Sequence, residues 1–365
     1  MTQIFRSRTE GTYIVPFVFT HMNKIIGILT GDGDCPGINA VIRAVVRKSI
    51  TYGNTVIGFR KSWKGILEKD IYPLDMNAVS DLMAKGGTIL GSSRTNPFKY
   101  EEGPETILKH LHELNVNVLV TVGSLDTLMV AEKLFERGCP VVGIPKTIDN
   151  DLPLTDRTFG FDTAISTVTE VIDRVHSTAE SHDRVIIIEV MGRYTGWIAT
   201  YAGIAGGADC ILIPEKPFSI DDVCKLIRRR HQRGKDFSII VAAEGARPKE
   251  HNRFIVKTDR VDEFGHKQLG GIGNFIAQEI ERLTGFETRV TILGPMQRGG
   301  APTAFDRVLA TRFGVKAADM AERGTYGKMV SLQGNDIVEV KLSDLIDKVK
   351  PVDSDLYEIA EVFFG

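Results

Sequence analysis

The sequence predicts an α/β protein with mostly parallel sheets, and three observations carry that expectation. From Lys24 onward, short β-branched runs alternate with segments of helical period, the pattern of parallel strands joined by crossover helices. The alternation falls into two sets of roughly 120 to 150 residues each, the usual size of one α/β unit. No low-complexity linker separates them, so the two units are expected to share an extensive interface.

The first set opens on the strand KIIGILT and the helix NAVIRAVVRKSI. The strands TVIGF and VNVLVTV follow, then the helix DTLMVAEKLFERG and the strand PVVGIP. The second set begins with the helix DTAISTVTEVIDRVHSTAES and the strand RVIIIEV. It continues with the helix WIATYAGIAGG, the strand CILIP, the helix IDDVCKLIRRRHQRG and the strand FSIIVAAE. The runs of Val, Ile and Leu are nearly continuous, as expected of strands covered on both faces.

Whole-chain properties narrow the function classes. The 365 residues are 42% hydrophobic and 25% charged, ordinary for a soluble globular chain. A net charge of −2 argues against a nucleic-acid partner, because phosphate-backbone binders carry a basic surplus. Cys35, Cys139, Cys210 and Cys224 are far apart, with no C-x-x-C pair, which fits reduced thiols in a cytoplasmic setting. The first 21 residues read as a disordered extension. Their apolar stretch is short, interrupted by Pro16 and without a small-residue cleavage site, so neither a signal peptide nor a membrane association is expected.

Ligands of open α/β sheets bind beyond the carboxyl ends of the strands, so the residues just after each strand matter most. After the first strand, TGDGDCPG brings Gly31 and Gly33 to a helix start, where bare backbone and free N–H groups suit a phosphate. Asp32 in the same turn would repel one unless a metal sat between them. GGTILGSSRTNPF offers Arg94, a potential bidentate phosphate donor. GSLDT, residues 123 to 127, has the shape of an anion cradle but carries Leu125 where a glycine or carboxylate would serve better. GIPKTIDND places Lys146, Thr147, Asp149 and Asp151 after an apolar strand; one carboxylate could act as a general base on a sugar hydroxyl while the other holds Mg²⁺. EVMGRYTGW, VAAEGA and ETRVTILGPMQRGG add Met191, Gly192, Arg193, Glu244, Arg289 and Arg298. Several arginines at strand ends of a nearly neutral chain suggest a small, multiply charged phosphate ester.

Taken in order, GGTILGSSR, PKTIDND, EVMGRYTGW and QRGG resemble the 6-phosphofructokinase family from about Lys24 to beyond Arg312. The resemblance implies two Rossmann-like three-layer domains in the phosphofructokinase fold. The larger, phosphoryl-donor domain would comprise residues 22–160 plus 297–347, and the smaller, sugar-phosphate domain residues 161–296 plus 348–365. It implies phosphoryl transfer to the 1-hydroxyl of fructose 6-phosphate with Mg²⁺, in a homodimer or homotetramer. Asp149 would be the catalytic base, with Asp151 beside it as a magnesium ligand and Thr147 on the substrate. Met191, Gly192, Arg193 and Glu244 would contact the sugar, and Arg298 would hold the 6-phosphate. Arg184 and Arg289 would reach in from a neighbouring subunit. Arg94 would steady the transferring group, with Gly31, Gly33, Asp126 and Lys146 on the donor.

Within this family, aspartate at the position of Asp126 and lysine at that of Lys146 mark the pyrophosphate-dependent branch. The carboxylate crowds the α-phosphate of ATP, and the lysine neutralises the leaving phosphate. Three positions depart from the pattern: Asp32 replaces a glycine, Ser124 and Leu125 stand where the family has glycine and a magnesium-binding acid, and Pro295 replaces a histidine near the 6-phosphate. Loss of a metal–phosphate interaction costs several kcal/mol, roughly 10³-fold in rate. Two further readings therefore stay open: a catalytically impaired paralogue or regulatory subunit that keeps the sugar-phosphate site, and an ATP-dependent 6-phosphofructokinase.

Overall fold

The computed structural model describes residues 23–249, 256–265, 267–345 and 348–365. The expected extension over residues 1–21 lies outside them. The first half runs β1 (Ile25–Thr30), α1 (Ile38–Thr51), β2 (Thr55–Phe59), α2 (Trp63–Leu67), β3 (Ile71–Leu74), α3 (Gly103–Glu113), β4 (Val116–Gly123), α4 (Leu125–Phe135) and β5 (Val141–Pro145). The long helix α5 (Phe161–His182) then leads into β6 (Val185–Val190), α6 (Trp197–Ala205), β7 (Cys210–Leu212), α7 (Ile220–Gln232) and β8 (Ser238–Ala243). A hairpin of β9 (Val256–Val261) and β10 (Lys267–Leu269) precedes α8 (Ile272–Thr284) and β11 (Thr288–Ile292). The chain closes with α9 (Ala304–Arg323), β12 (Lys328–Gln333), β13 (Asp336–Lys341) and α10 (Ser354–Glu361).

Two separate sheets result, as the alternation predicts. One has seven strands in the order β13-β12-β5-β4-β1-β2-β3, antiparallel only at its two edge pairs. The other has four strands in the order β11-β6-β8-β7, all parallel. β5, β6 and β8 are buried along their whole length, which explains their unbroken apolar runs. Elements that periodicity does not announce include the edge strands β3 and β13, the inner strand β12 and the β9–β10 hairpin. Edge strands are half-solvated and mixed in composition, so their pattern is weaker.

Burial locks the units together. Phe161 of α5 packs edge-to-face on Trp197 and Tyr201 of α6, and one continuous apolar core includes Val142 and Ile144 of the first sheet with Ile186 and Ile188 of the second. All four cysteines are unpaired and buried. Among the described residues no helix is long and apolar enough to cross a membrane.

Candidate active site

One cleft collects the loops that follow β1, β4, β5 and β6. It is lined by Asp32, Arg94, Ser124, Leu125, Asp126, Lys146, Thr147, Asp149, Asp151, Arg193 and Arg298. Tyr194, Asp262, Phe264 and Val349 complete its walls. Carboxyl-terminal strand ends converge here because parallel pairing of β1, β4 and β5 points all three the same way.

The turn after β1 is held tightly against α4. A Cβ on Gly31 would come within 2.0 Å of Thr127 Oγ1, so only glycine fits there. The Asp32 carboxylate points to the start of α4, where its Oδ1 accepts from Ser124 Oγ at 2.6 Å and from Thr127 Oγ1 at 2.8 Å. Ser124 occupies the N-cap position of α4, yet its side chain caps no helical N–H. An anion at a helix N-terminus is favoured by the unpaired N–H groups and the helix dipole, and here the chain supplies that anion itself.

Lys146 is 2% exposed. Its ammonium donates to the carbonyls of Asp32 and, at 3.0 Å, Gly33. Burial pushes the Asp32 carboxyl up, but Lys146, the two hydroxyl donors and Arg298 outweigh it and hold its pKa below the ordinary value. Asp32 is therefore an ionised group with its own partners. Its negative charge stays at the turn where a donor phosphate would approach.

Leu125 opens α4 and packs onto the apolar cluster of Leu128, Leu134 and Leu152 that also receives Phe264. Its side chain is an apolar seat, with no oxygen to offer a hard cation. Asp126 follows in the first helical turn and faces the cleft.

After β5 the chain turns sharply through Asn150, which adopts a left-handed φ of 50° and accepts the Thr158 N–H at 3.1 Å. This turn aims Asp149 and Asp151 into the same cleft. Thr147 Oγ1 accepts the Asp149 N–H at 3.0 Å, and Asp149 Oδ1 is a buried oxygen with no hydrogen-bond partner. Burial raises the Asp149 pKa against the opposing charges of Arg298, Arg193 and Lys146. Asp151 is pushed up to about 7, by burial first and by the Asp149 charge second. A carboxylate so destabilised is a competent proton acceptor near neutral pH.

The second sheet supplies the opposite wall. The Met191 N–H donates to the fully buried Gln297 side chain at 3.2 Å. Gly192 has a φ of 137°, and a Cβ on Gly245 would meet the Arg193 carbonyl at 2.0 Å, so the two backbones lie in contact. Glu244 is pushed up to about 7 by burial and then by Asp149, against Arg193 and Arg298. Arg298 donates to the Asp34 carbonyl at 3.4 Å, and a Cβ on Gly33 would lie 2.7 Å from its guanidinium.

Of the expected site residues, Arg94, Asp126, Lys146, Thr147, Asp149, Asp151, Arg193 and Arg298 line the cleft, whereas Gly31, Gly33, Met191, Gly192, Glu244, Arg184 and Arg289 do not. Arg184 and Arg289 both pair with Glu287, the first at 2.9 Å. Arg184 precedes β6, and Arg289 lies near the start of β11, paired with Ile186. Reading Arg289 as a strand-end residue is thus corrected, because it sits at the amino end of its strand. Pro295 lies in the 3₁₀ turn at Gly294–Arg298, beside the loop that carries Arg298.

Sequence reasoning missed a group from the β9–β10 turn. Asp262 pairs with Arg94 at 3.1 Å. Glu263 accepts from the Asn96 N–H at 2.8 Å and from the Tyr100 hydroxyl at 2.9 Å. The string DEFG was its only signal, a turn composition without periodicity. Val349 and Lys350 were missed as well: the Lys350 N–H donates to the Asp151 carbonyl at 2.8 Å.

A family model described as Phosphofructokinase matches residues 25–321. The chain is 54% identical over 341 residues to a pyrophosphate–fructose 6-phosphate 1-phosphotransferase of Amycolatopsis methanolica, covering 93% of this chain and 99% of that one. It is 51% identical over 342 residues to an ATP-dependent 6-phosphofructokinase of Mycobacterium bovis, with the same two coverages. Among solved structures, a phosphofructokinase from Saccharomyces cerevisiae superposes with a TM-score of 0.78 at 29% identity, over 93% of this chain and 47% of that chain. With the family match spanning most of its length and relatives above half identity, the chain belongs to the phosphofructokinase family.

Proposed function

We propose that this chain transfers a phosphoryl group from inorganic pyrophosphate to the 1-hydroxyl of fructose 6-phosphate, giving fructose 1,6-bisphosphate and phosphate, in either direction. The observation that carries the donor choice is that Asp126 and Lys146 line the same cleft as Asp149. A carboxylate beside the α-position disfavours a nucleotide, and the ammonium balances the departing phosphate.

In this reading the sugar oxygen forms a bond to the transferred phosphorus as the bridging P–O bond of pyrophosphate breaks. Asp149 Oδ1, buried and without a partner, accepts the hydroxyl proton. Arg94 and Lys146 face the charge that develops on the donor. Arg193, Glu244 and Arg298, with Met191 and Gly192, orient the sugar phosphate, and Arg184 and Arg289 serve the site of an adjacent copy in a homo-oligomer.

Among the described residues no three His, Cys, Asp or Glu side chains converge on a common point. Mg²⁺ needs only one or two carboxylates when substrate phosphates complete its shell, and the ionised Asp32 and Asp151 both line the cleft. Asp151 and Asp32 would hold the ion, whose contribution is to offset charge on the donor.

A second reading is favoured by Leu125 and by the Asp32 carboxylate at the α4 N-terminus: a chain that binds sugar phosphate and regulates without transferring. A coupled assay for fructose 1,6-bisphosphate with Mg²⁺ and either pyrophosphate or ATP separates the readings. Turnover with pyrophosphate supports the transferase. Tight fructose 6-phosphate binding without turnover on either donor supports the regulator, and preference for ATP overturns the donor assignment.

A further inference from the structure

The polar ties of the β9–β10 turn point to a second determinant of donor choice. We infer that Asp262, Glu263 and Phe264 form a wall across the donor side of the cleft that admits a two-phosphate anion and keeps out longer polyphosphates and nucleotides. This rests on the proposed pyrophosphate reaction and adds to it a size filter distinct from Asp126.

Three observations carry it. The turn is fixed to the donor loop from both of its carboxylates: Asp262 to Arg94 at 3.1 Å, and Glu263 to the Asn96 N–H and the Tyr100 hydroxyl at 2.8 and 2.9 Å. The Asp262 side chain also accepts the Phe264 N–H at 3.0 Å, which sets the shape of the turn itself. Phe264 is seated on the same apolar cluster as Leu125 at the start of α4, and Asp262 and Phe264 line the same cleft as Leu125 and Asp126.

The resulting cleft is small, about 160 Å³. Pockets that enclose a drug-sized ligand have volumes of about 300 to 1,000 Å³. Space of that size beside the wall favours a compact inorganic polyanion over a nucleoside triphosphate. Charge works in the same direction. A donor extended past two phosphates would bring further negative charge towards Asp126 and Asp262, both of which line the cleft. Leu125 also gains a role: like Phe264 it packs on the apolar cluster at this side of the cleft, where a carboxylate would be costly to bury.

The test is binding calorimetry on the full chain, with magnesium pyrophosphate, magnesium tripolyphosphate and magnesium ATP as separate titrants. Fructose 6-phosphate binding serves as the fold check on each variant. The unaltered chain is expected to bind pyrophosphate at least ~10-fold more tightly than tripolyphosphate or ATP, a difference of ~1.4 kcal/mol. Phe264→Ala, and separately Glu263→Gln, should shrink the tripolyphosphate gap several-fold while fructose 6-phosphate binding is kept. Equal binding of pyrophosphate and tripolyphosphate by the unaltered chain overturns the wall, as does a gap that neither variant moves. Asp126→Gly supplies the second control: if it alone brings tripolyphosphate and ATP to parity with pyrophosphate, the wall contributes nothing. If the unaltered chain binds none of the three, the pyrophosphate reading fails by itself. The wall then stands only if a wall variant gains tripolyphosphate binding, and falls if none does.

Discussion

Ser124 gives its hydroxyl hydrogen to Asp32 across 2.6 Å, joining the turn after β1 to the start of α4. Two departures from the family pattern are thereby parts of one arrangement. A carboxylate at position 125 would stand at the helix end that Asp32 already occupies, and two carboxylates at one site resist joint ionisation. Leu125→Asp is therefore expected to destabilise the chain by about 1–3 kcal/mol. In an Asp32→Gly background the same change should cost less, a non-additivity that urea denaturation of the two singles and the double would read. Equal cost in both backgrounds would show the positions to be independent.

Asp149 Oδ1 is a buried oxygen without a hydrogen-bond partner, so Asp149→Asn should remove the proposed proton acceptor and little else. Turnover with pyrophosphate is expected to fall by roughly 10²- to 10⁴-fold. Fructose 6-phosphate affinity should stay within a few-fold. A variant that loses binding and turnover together would place Asp149 in substrate holding instead.

Glu244 gives the site a pH dependence. It is held protonated up to about 7 by burial and by the charges of Asp149 and Glu189, against Arg193 and Arg298. As pH rises through that value the carboxyl loses its proton and becomes a pure acceptor for a sugar hydroxyl. The KM for fructose 6-phosphate should therefore fall between about pH 6 and 8 relative to that of Glu244→Gln. Parallel pH profiles for the two proteins would remove Glu244 from the sugar site.

Asp306 makes a prediction about stability alone. Burial raises its pKa to about 6, although the Thr163 N–H and hydroxyl donate to it at 2.8 and 2.6 Å. From its ordinary range up to about 6, the unfolded chain has released this proton and the folded chain has not. Stability thus falls with rising pH across that window, by about 3 kcal/mol from this group. Asp306→Asn, which keeps an acceptor oxygen, should flatten that fall in thermal melts from pH 4 to 7.

The placement of Arg184 and Arg289 away from their own cleft predicts complementation between subunits. Arg289→Ala and Asp149→Asn chains should each be weak alone, and a refolded mixture should regain part of the activity. No recovery on mixing would mean that Arg289 serves no neighbouring site.

Much of the architecture was legible because a doubly covered strand must be apolar throughout, and β5, β6 and β8 are. Site residues at strand ends were legible for the same geometric reason: parallel strands deliver their following loops to one edge, so Lys146, Asp149 and Arg193 could be placed by position. Asp262, Glu263 and Phe264 were not, because they arrive on an antiparallel hairpin whose sequence has neither period nor apolar run. The partners of Asp32 were also hidden. Which way a short carboxylate points depends on Thr127 and Ser124, ninety or more residues away in the chain.

The segment around Lys350 has a practical side. Its N–H bonds the carbonyl of Asp151, its ammonium reaches the carbonyls of Thr155 and Asp156 at 2.8 and 3.0 Å, and its own carbonyl receives the Trp197 indole N–H at 2.9 Å. This stretch of chain is thus a buckle fastened behind the turn that carries Asp149 and Asp151. Cutting the chain back to this buckle would be felt at Asp151, some two hundred residues upstream.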